Sequence, residues 1–242
     1  MTSPQIDVIM PVFNRVDYLA AAVQSILDEQ ALPIRLITVD DGSTDGSFEM
    51  LIDWAARERR LHLVKSGHRG VSHARNLGLE AAEAPFVSFL DSDDVSVPGR
   101  LVRQLAKLEA TPAVAAVMGH RLYFKDDIQN PFSRKLDICL ASAVFRRSAI
   151  DATGGFDEDL SFGEDLDFYM RFLEVGNAIL VEAEDAIYYR RHDGNMTRDE
   201  NAVRMGLHRA AHKAIKRRRN QDRRNIDLFF FKEYSVDTLI NV

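Results

Sequence analysis

The 242-residue sequence contains a single cysteine, Cys139, and no long apolar segment. One cysteine cannot form an internal disulfide or a multi-thiolate metal site, which favours a reducing compartment. No apolar run approaches the roughly 18–20 residues that cross a bilayer. The opening residues MTSPQIDVIM lack the basic and apolar regions of a signal peptide. We therefore expect a cytoplasmic protein rather than a secreted or integral-membrane one.

Three familiar binding signatures are also missing. The residues PVFNR stand where an oxidoreductase of the dinucleotide-binding class carries GxGxxG, and no GxxxxGK[ST] of a P-loop hydrolase is present. A calcium loop that starts at Asp41 would place Ile52 where the final glutamate ligand belongs. The sequence therefore argues against these three classes.

Charge is unevenly distributed along the chain. The net charge is −6, but residues 209–224 carry eight Lys and Arg against one acid, which leaves −13 for the rest. An acidic body with a basic tail is poorly suited to wrapping nucleic acid, so we expect no nucleic-acid partner. This distribution suits a metal-binding enzyme that touches an anionic surface.

Strand and helix patterns alternate through the first half. Apolar, β-branched runs predict strands at 6–12, 34–40, 61–66 and 85–91, and helical spacing of apolar residues predicts the helices between them. This alternation predicts an α/β fold with a mostly parallel, Rossmann-like sheet flanked by helices. A helix near 165–175 and an extended segment at 178–192 follow. Polar clusters lie after the second and fourth strands, at the edge where such sheets bind ligands.

The fourth strand ends in Asp91-Ser92-Asp93-Asp94. Three carboxylates within four residues repel one another unless a cation or basic groups neutralise them. Hard oxygen ligands suit Mg²⁺ or Mn²⁺, which bridge to a substrate phosphate. The alternative is a solvated turn with an aspartate cap, but the position at a strand end favours the metal.

The second strand ends in Asp40-Asp41-Gly42-Ser43. An Asx turn followed by helix caps at Ser43 and Thr44 explains these residue types, but a carboxylate there can equally bind a nucleobase or ribose. Arg75 begins a later helix, where it can face a phosphate, lock an aspartate or form a surface ion pair.

Two further clusters follow in the second half. Glu164 and Asp165 precede an amphipathic helix, where they can cap the helix or supply a general base. The helix dipole predicts a low pKa for such a base. After the last extended segment, Arg191 and His192 can be structural or can hold a metal–diphosphate group.

Seven segments together resemble family 2 of the glycosyltransferases, the inverting group with the GT-A fold. They are PVFN (11–14), VDDGSTDGS (39–47), GVSHARNLGL (70–79), FLDSDD (89–94), GGFDE (154–158), GEDLDFYMR (163–171) and RRH (190–192). The resemblance covers about residues 6–195. It implies a nucleotide-sugar-binding and catalytic domain at 1–195, followed by a helical basic and aromatic extension at 196–242.

The resemblance also implies roles for individual positions. Those near the nucleotide are Pro11, Phe13, Asp41, Arg75 and Asp91. Asp93 of the DxD motif and His192 correspond to metal positions, Asp165 to the catalytic base, and Arg191 with Glu164 to diphosphate or supporting positions. Phe13 stands where the family often has tyrosine, and His68-Arg69-Gly70 replaces a commoner Asn-x-Gly.

The implied reaction moves a sugar from a nucleoside-diphosphate sugar to a hydroxyl of a glycan or lipid-linked acceptor, with Mn²⁺ or Mg²⁺ as cofactor. UDP is the family's commonest donor carrier, and GDP and dTDP stay open. Two alternatives are a binding protein that has lost turnover and a sugar-phosphate nucleotidyltransferase. The second lacks support because no Gly-rich, basic loop follows the first strand.

The basic tail leaves three interpretations open. Lys216 to Arg224 with Phe229, Phe230 and Phe231 can lie on an anionic membrane, which would place the protein at the inner face of the plasma membrane. The aromatics can instead pack on the domain or across a homodimer, and the charges can form a solvated helix face.

Overall fold

The computed structural model describes residues 3–220 and 239–240. The strands are β1 Ile6–Val12, β2 Ile34–Asp40, β3 Leu61–Lys65, β4 Phe86–Phe89, β5 Val95–Ser96, β6 Ala116–Phe124, β7 Ser133–Lys135, β8 Ala143–Arg146, β9 Ile179–Arg190 and β10 Leu239–Ile240. The helices are α1 Val16–Leu27, α2 Ser47–Ala55, α3 Val71–Ala81, α4 Arg100–Ala110, α5 Arg147–Thr153, α6 Glu164–Glu174 and α7 Glu200–Asn220.

These strands form a single sheet in the order β10-β9-β6-β8-β4-β1-β2-β3, with β5 beside β9 and β7 beside β6. The predicted α/β class and the four early parallel strands are confirmed. The sheet as a whole is mixed, because β8 runs antiparallel between β4 and β6. The parallel set β4-β1-β2-β3 therefore ends at β8, and the second half of the chain extends the sheet beyond it with β6 and β9, which are parallel to each other.

The order of the parallel strands positions the polar segments. β1 lies between β2 and β4, which makes it the point where strand order reverses. The backbone N–H of Asp41 donates to the carbonyl of Val12 at 2.8 Å, and that of Leu90 donates to the carbonyl of Ile9 at 3.0 Å. The segments that follow β1, β2 and β4 therefore share one crevice, where open α/β sheets bind ligands.

An aromatic cluster fixes the start of α6 against this sheet. Five phenylalanine rings from β4, β8, the 154–158 turn and α6 contact one another, and the Phe156 and Phe168 rings stack at 4.8 Å. All five rings are buried. Burial of so much aromatic surface anchors α6 with its first turn at the crevice.

The predicted caps of α2 are wrong. The helix begins at Ser47, and the Asp45 carboxylate accepts hydrogen bonds from the Ser47 N–H at 3.0 Å and hydroxyl at 2.6 Å. Ser43 and Thr44 instead bond to Asn14, which ties the loop after β2 to the loop after β1. Hydrogen bonds to Asn14, about 30 residues away in sequence, therefore replace the local capping bonds that the sequence predicted for Ser43 and Thr44.

The tail is helical to Asn220, and α7 packs on α6 at very close range. A Cβ atom at Gly206 would lie 2.4 Å from Cβ of Phe162 and 2.5 Å from its carbonyl oxygen. The predicted membrane-binding aromatics Phe229, Phe230 and Phe231 lie outside the described residues. Within the part of the chain that is described, no helix has the length and apolarity to span a membrane.

We predict that Gly206→Ala destabilises the protein. A helical Gly→Ala change normally adds about 1 kcal/mol of stability. Here the new methyl group meets fixed backbone of Phe162, and overpacking of this kind costs about 1–3 kcal/mol. The free energy of unfolding from urea titration measures the balance.

Gly67→Ala is the matched control, since a Cβ there meets nothing within 4 Å. We expect its free energy of unfolding to stay within about 0.5 kcal/mol of the parent. A Gly206→Ala variant as stable as the parent would contradict the close packing.

Candidate active site

A cavity of about 730 Å³ opens at the carboxyl edge of the parallel strands. Its walls come from the loops after β1, β2 and β4, from the first turn of α6, and from Val203 and Leu207 of α7. Eight of the predicted site residues line it: Pro11, Phe13, Asp41, Arg75, Asp91, Asp93, Glu164 and Asp165. The fold thus brings segments that are far apart in sequence around one space.

Arg75 is the centre of this cavity. Its guanidinium donates to Asp91 Oδ1 at 3.1 Å, to Glu164 Oε1 at 3.0 Å and to Asp165 Oδ1 at 2.9 Å. The side chain is only 4% exposed. The three carboxylates raise the pKa of Arg75, although burial alone would lower it. Arg75 therefore joins the end of β4 to the start of α6 and locks aspartates, one of the alternatives left open by the sequence.

Asp165 is a carboxylate with an unusually high affinity for a proton. Burial raises its pKa to about 7, and the charges of Glu164 and Asp91 add to this effect, while Arg75 opposes it. The low pKa expected from the helix dipole is therefore wrong, because desolvation outweighs the dipole. The side chain keeps 26% exposure at the cavity. A carboxylate with a pKa near neutrality that faces a cavity is suited to general-base chemistry.

Asp93 holds a second charged cluster. Its Oδ2 atom accepts from Nε of Arg15 at 3.1 Å and lies 3.0 Å from Nε2 of His192. The backbone N–H of Gly194 donates to Nδ1 of His192 at 3.1 Å, so this arrangement assigns the imidazole proton to Nε2. His192 also packs on the ring of Tyr18 at 4.4 Å. His192 thus orients the Asp93 carboxylate toward the cavity.

Two arginines of this cluster were missed by sequence reasoning. Arg15 binds Asp93 and also donates to the carbonyl of Gly194 at 3.2 Å. Arg190 donates from Nε to the Asp93 carbonyl at 3.1 Å and from its backbone to Asp94 Oδ1 at 2.9 Å. Arg191, the predicted diphosphate residue, is exposed and does not line the cavity. Its role stays a prediction without a contact to support it.

The carboxylate of Asp41 organises the loop before α3. It accepts from the Ser66 hydroxyl at 2.7 Å and from the backbone N–H groups of Arg69 and Gly70 at 2.9 Å and 2.7 Å. Gly70 adopts a φ of +95°, a conformation that favours glycine. Asp41 therefore fixes the backbone that leads into Arg75 and borders the cavity at the same time.

Two aromatic rings border the same end of the cavity. Phe13 is 39% exposed, and its ring centroid lies 4.5 Å from that of His68. Nδ1 of His68 lies 3.3 Å from the carbonyl oxygen of Asp41, which can only accept a hydrogen bond. The pair offers flat apolar surface for stacking.

A different wall lies toward β6. Arg121 pairs with Asp137, and the Tyr123 hydroxyl donates to the same carboxylate at 2.9 Å. The Arg121 guanidinium also lies 4.9 Å from the ring centre of Tyr189. Arg121, Asp137 and Tyr189 line the cavity. No sequence signal marked them, because their contacts join β6, β9 and the loop before β8.

The acidic residues after β4 fit a divalent cation held mainly by its substrate. Among residues 3–220, no three His, Cys, Asp or Glu side chains form a group that could hold a metal. Asp91 and Asp93 nevertheless both face the cavity. Mg²⁺ and Mn²⁺ sites commonly use one or two protein carboxylates and complete their coordination with phosphate oxygens and water. The chemistry of these two carboxylates suits such an ion.

We predict that Arg75→Met destabilises the protein by about 1.5–3 kcal/mol near pH 8, because it leaves three neighbouring, partly exposed carboxylates without their counter-charge. The loss shrinks as the pH falls to about 5, because Asp165, whose pKa burial raises to about 7, takes up a proton and its repulsion of the other carboxylates disappears. Urea titrations of both proteins at the two pH values measure it.

Arg57→Met provides the comparison for this change. The Arg57 side chain is 78% exposed and lies 3.9 Å from Asp53, so its loss should cost no more than about 0.5 kcal/mol at either pH. Equal destabilisation by Arg75→Met at both pH values would contradict the electrostatic role of Arg75.

Comparison with known proteins identifies the family of this chain. The model of the family "Glycosyl transferase family 2" matches residues 7–172. An uncharacterized glycosyltransferase of Haemophilus influenzae is 40% identical over 106 residues, which cover 43% of this chain and 42% of that protein. The chain spans 42–63% of the length of the first three curated relatives that it matches.

Two solved structures share the fold. S. aureus TarS 1–349 in complex with UDP-GlcNAc has a TM-score of 0.72 and 19% identity, over 86% of this chain and 66% of TarS. The mannosyltransferase PcManGT from Pyrobaculum calidifontis, in complex with GDP-Man and Mn²⁺, has a TM-score of 0.73 and 20% identity, over 89% of this chain and 65% of PcManGT. The expected GT-A fold is thereby confirmed. With the family model covering most of its length, the chain belongs to glycosyl transferase family 2.

Proposed function

We propose that this chain transfers a sugar from a nucleoside-diphosphate sugar to a hydroxyl group of an acceptor, with inversion at the anomeric carbon. The observation that carries the proposal is the joint placement of Asp165, Asp91 and Asp93 around one cavity, with Arg75 between them. TarS is complexed with UDP-GlcNAc and PcManGT with GDP-Man, which supports a nucleotide sugar as the donor. UDP and GDP both remain candidates for the carrier.

The nucleoside end of the donor fits the part of the cavity beside β1 and β2. Phe13 and His68 offer stacking surface, and Pro11 borders them. One oxygen of Asp41 accepts a single hydrogen bond from Gly70 and retains a free acceptor position for a base or ribose donor. Recognition of the nucleotide by Pro11, Phe13 and Asp41 is therefore compatible with their structural contacts.

The diphosphate fits the space beside Asp91 and Asp93. These residues would hold Mn²⁺ or Mg²⁺, which would supply positive charge as the diphosphate leaves. PcManGT contains Mn²⁺, which supports a divalent ion in this fold. Arg15 already contacts the carboxylate of Asp93. His192 contacts the same carboxylate oxygen and orients it.

The reaction itself needs a group that removes one proton. The acceptor oxygen forms a bond to the anomeric carbon, the bond from that carbon to the diphosphate oxygen breaks, and the hydroxyl proton passes to the carboxylate of Asp165. Glu164 and Arg75 position this carboxylate, because both lie in the same ion cluster. The pKa of about 7 allows Asp165 to accept a proton and release it near neutral pH.

The predicted catalytic domain at 1–195 contains these residues, but the cavity extends beyond it. Met196, Val203 and Leu207 add an apolar wall to the cavity. We place the acceptor, a glycan or a lipid-linked sugar, between this wall and the β6 wall of Arg121 and Tyr189. In this arrangement α7 contributes to the acceptor side.

We predict that Asp165→Asn lowers sugar transfer at least about 100-fold, which is the contribution typical of a general base. Donor binding should change by less than about twofold, because the amide keeps the shape of the side chain and the donor carboxylates are untouched. Transfer is measured as release of nucleoside diphosphate with a nucleotide sugar and acceptor. Release of pyrophosphate would identify a nucleotidyltransferase instead.

The exposed loop residue Asp126 supplies the control. Asp126→Asn removes the same charge and should leave transfer unchanged. Full activity of Asp165→Asn would remove Asp165 from its role, and a parent protein that binds the donor without any turnover would indicate a degenerate enzyme.

We predict that kcat/KM of the parent rises with pH through about 7, since only the ionised carboxylate of Asp165 accepts a proton. Burial is the main cause of this midpoint, and the charged neighbours Arg75, Glu164 and Asp91 adjust it. The residual activity of Asp165→Asn should lose this rise. A profile that is flat between about pH 5 and pH 9 would contradict a base of this kind.

We predict that Asp93→Ala removes the effect of Mn²⁺ on nucleotide binding. Isothermal titration of UDP and GDP, with and without Mn²⁺, should show tighter binding with the metal for the parent and equal binding for the variant. Asp126→Ala should behave like the parent. Equal nucleotide affinity of the parent in both conditions would contradict a metal site at Asp93.

A further inference from the structure

The basic residues of α7 divide between two faces of the helix. From Asn201 to the end of α7 the sequence contains no Asp or Glu, while Lys and Arg recur to Arg219. Such a charge run on a surface helix normally needs either partners within the protein or an anionic surface outside it. The two faces differ in which of these they have.

The face toward α6 has its partners within the protein. Arg217 donates to Asp167 at 2.8 Å and to Glu174 at 2.9 Å, and Arg218 donates to Glu174 at 3.1 Å. Lys213 pairs with Asp157. These cations therefore hold α7 on the catalytic domain and are not available to a partner.

On the opposite face, the cations have no such partners among the residues that the structure describes. This face is formed by Met205, His208, Arg209, His212, Ile215, Lys216 and Arg219, all exposed and spaced three or four residues apart. We call this the outer face of α7. Arg209, Lys216 and Arg219 form no ion pair with any carboxylate in the part of the chain that the structure describes.

Apolar side chains interrupt the positive charge of the outer face. Met205 is 52% exposed and Ile215 is 39% exposed. Cations attract anionic headgroups, and apolar side chains on the same face can contact the boundary between headgroups and acyl chains, so the outer face suits a surface contact with an anionic membrane. A nucleic-acid backbone would use the cations but not the apolar side chains, and the acidic remainder of the chain would repel it.

We propose that the outer face of α7 docks on the anionic surface of a lipid bilayer. The three unpaired cations supply the attraction to the headgroups, at about 1 kcal/mol for each residue near the surface. Met205 and Ile215 add apolar contact. The inference extends the predicted membrane contact to described residues and restricts it to one face of α7.

Docking through this face would also set the position of the cavity relative to the membrane. Leu207 is on the same helix, lines the cavity and is 39% exposed, and Met196 at the same wall is 51% exposed. A bilayer under α7 would therefore lie beside the apolar wall of the cavity. An acceptor with a lipid tail could then present its sugar to Asp165 while its tail stays in the membrane.

The test is co-sedimentation of the full chain with vesicles. The vesicles are phosphatidylcholine alone or phosphatidylcholine with about 30% phosphatidylglycerol, a surface that attracts basic segments. The parent should bind only the anionic vesicles. The triple variant Arg209→Glu, Lys216→Glu, Arg219→Glu should bind them at least about 100-fold more weakly, given three lost attractions and added repulsion.

Two matched variants make the result specific. The first is the triple variant Arg57→Glu, Arg59→Glu, Lys125→Glu, which changes the net charge by the same amount as the α7 variant but at exposed sites away from α7. It should bind the vesicles as the parent does. Arg209→Lys, Lys216→Arg, Arg219→Lys keeps the charge and should also bind. The thermal unfolding midpoint and nucleotide binding of the glutamate variant should match those of the parent, because the outer face contacts neither α6 nor the donor end.

Several outcomes would overturn the proposal. They are equal binding of the glutamate variant and the parent, equal binding of the parent to both kinds of vesicle, and stronger binding of the parent to duplex DNA than to vesicles. A dimer in sedimentation velocity that only the glutamate variant dissolves would assign the outer face to a second copy. Loss of sugar transfer in Asp165→Asn tests the proposed reaction separately, since vesicle binding does not involve Asp165.

Discussion

The site depends on one buried ion cluster, in which Arg75 contacts three carboxylates from two distant parts of the chain. Carboxylates held this close raise one another's pKa and repel unless a cation lies among them. Arg75 supplies that cation from α3, and the loop before α3 is fixed by Asp41. The end of β2 thereby controls the position of the group that links β4 to α6, so Asp41, Arg75 and Asp165 are parts of one network.

Burial and charge act in opposite directions on Asp165, and their balance gives this residue its chemistry. A surface aspartate in the first turn of a helix would be ionised and strongly solvated, which makes it a poor base. At Asp165 desolvation is the largest influence and raises the pKa, while Arg75 limits the increase. The aromatic cluster under α6 keeps this first turn rigid at the cavity. Hydrophobic packing therefore sets the basicity of a polar group.

The elements and strand ends were predictable because their signals are local. Apolar runs followed by aspartates predicted the strands and the acidic residues at their ends. Because parallel strands have their carboxyl ends at the same edge of a sheet, the pattern also predicted that these acidic residues lie close together. Residues whose partners lie far away in sequence were missed. Arg15 donates to Asp93, which lies 78 residues further along the sequence. Arg190 contacts the acidic turn after β4, while the neighbouring Arg191 is exposed. Near the end of β9, the directions of the side chains depend on the pairing of β9 with β5. This pairing joins segments far apart in sequence, so no local pattern predicts it.

The helix α7 shows how one element can serve two requirements with the same residue types. Its inner cations neutralise Asp167 and Glu174, two buried acids that would otherwise destabilise α6. Its outer cations pair with no carboxylate among residues 3–220, yet they keep the same spacing along the helix. Stabilisation of the fold therefore explains the inner cations but not the outer ones. Since Gly206 brings the helix backbone against Phe162, α7 also packs directly on the loop before Asp165. The position of the turn that carries Asp165 therefore depends on how α7 is packed.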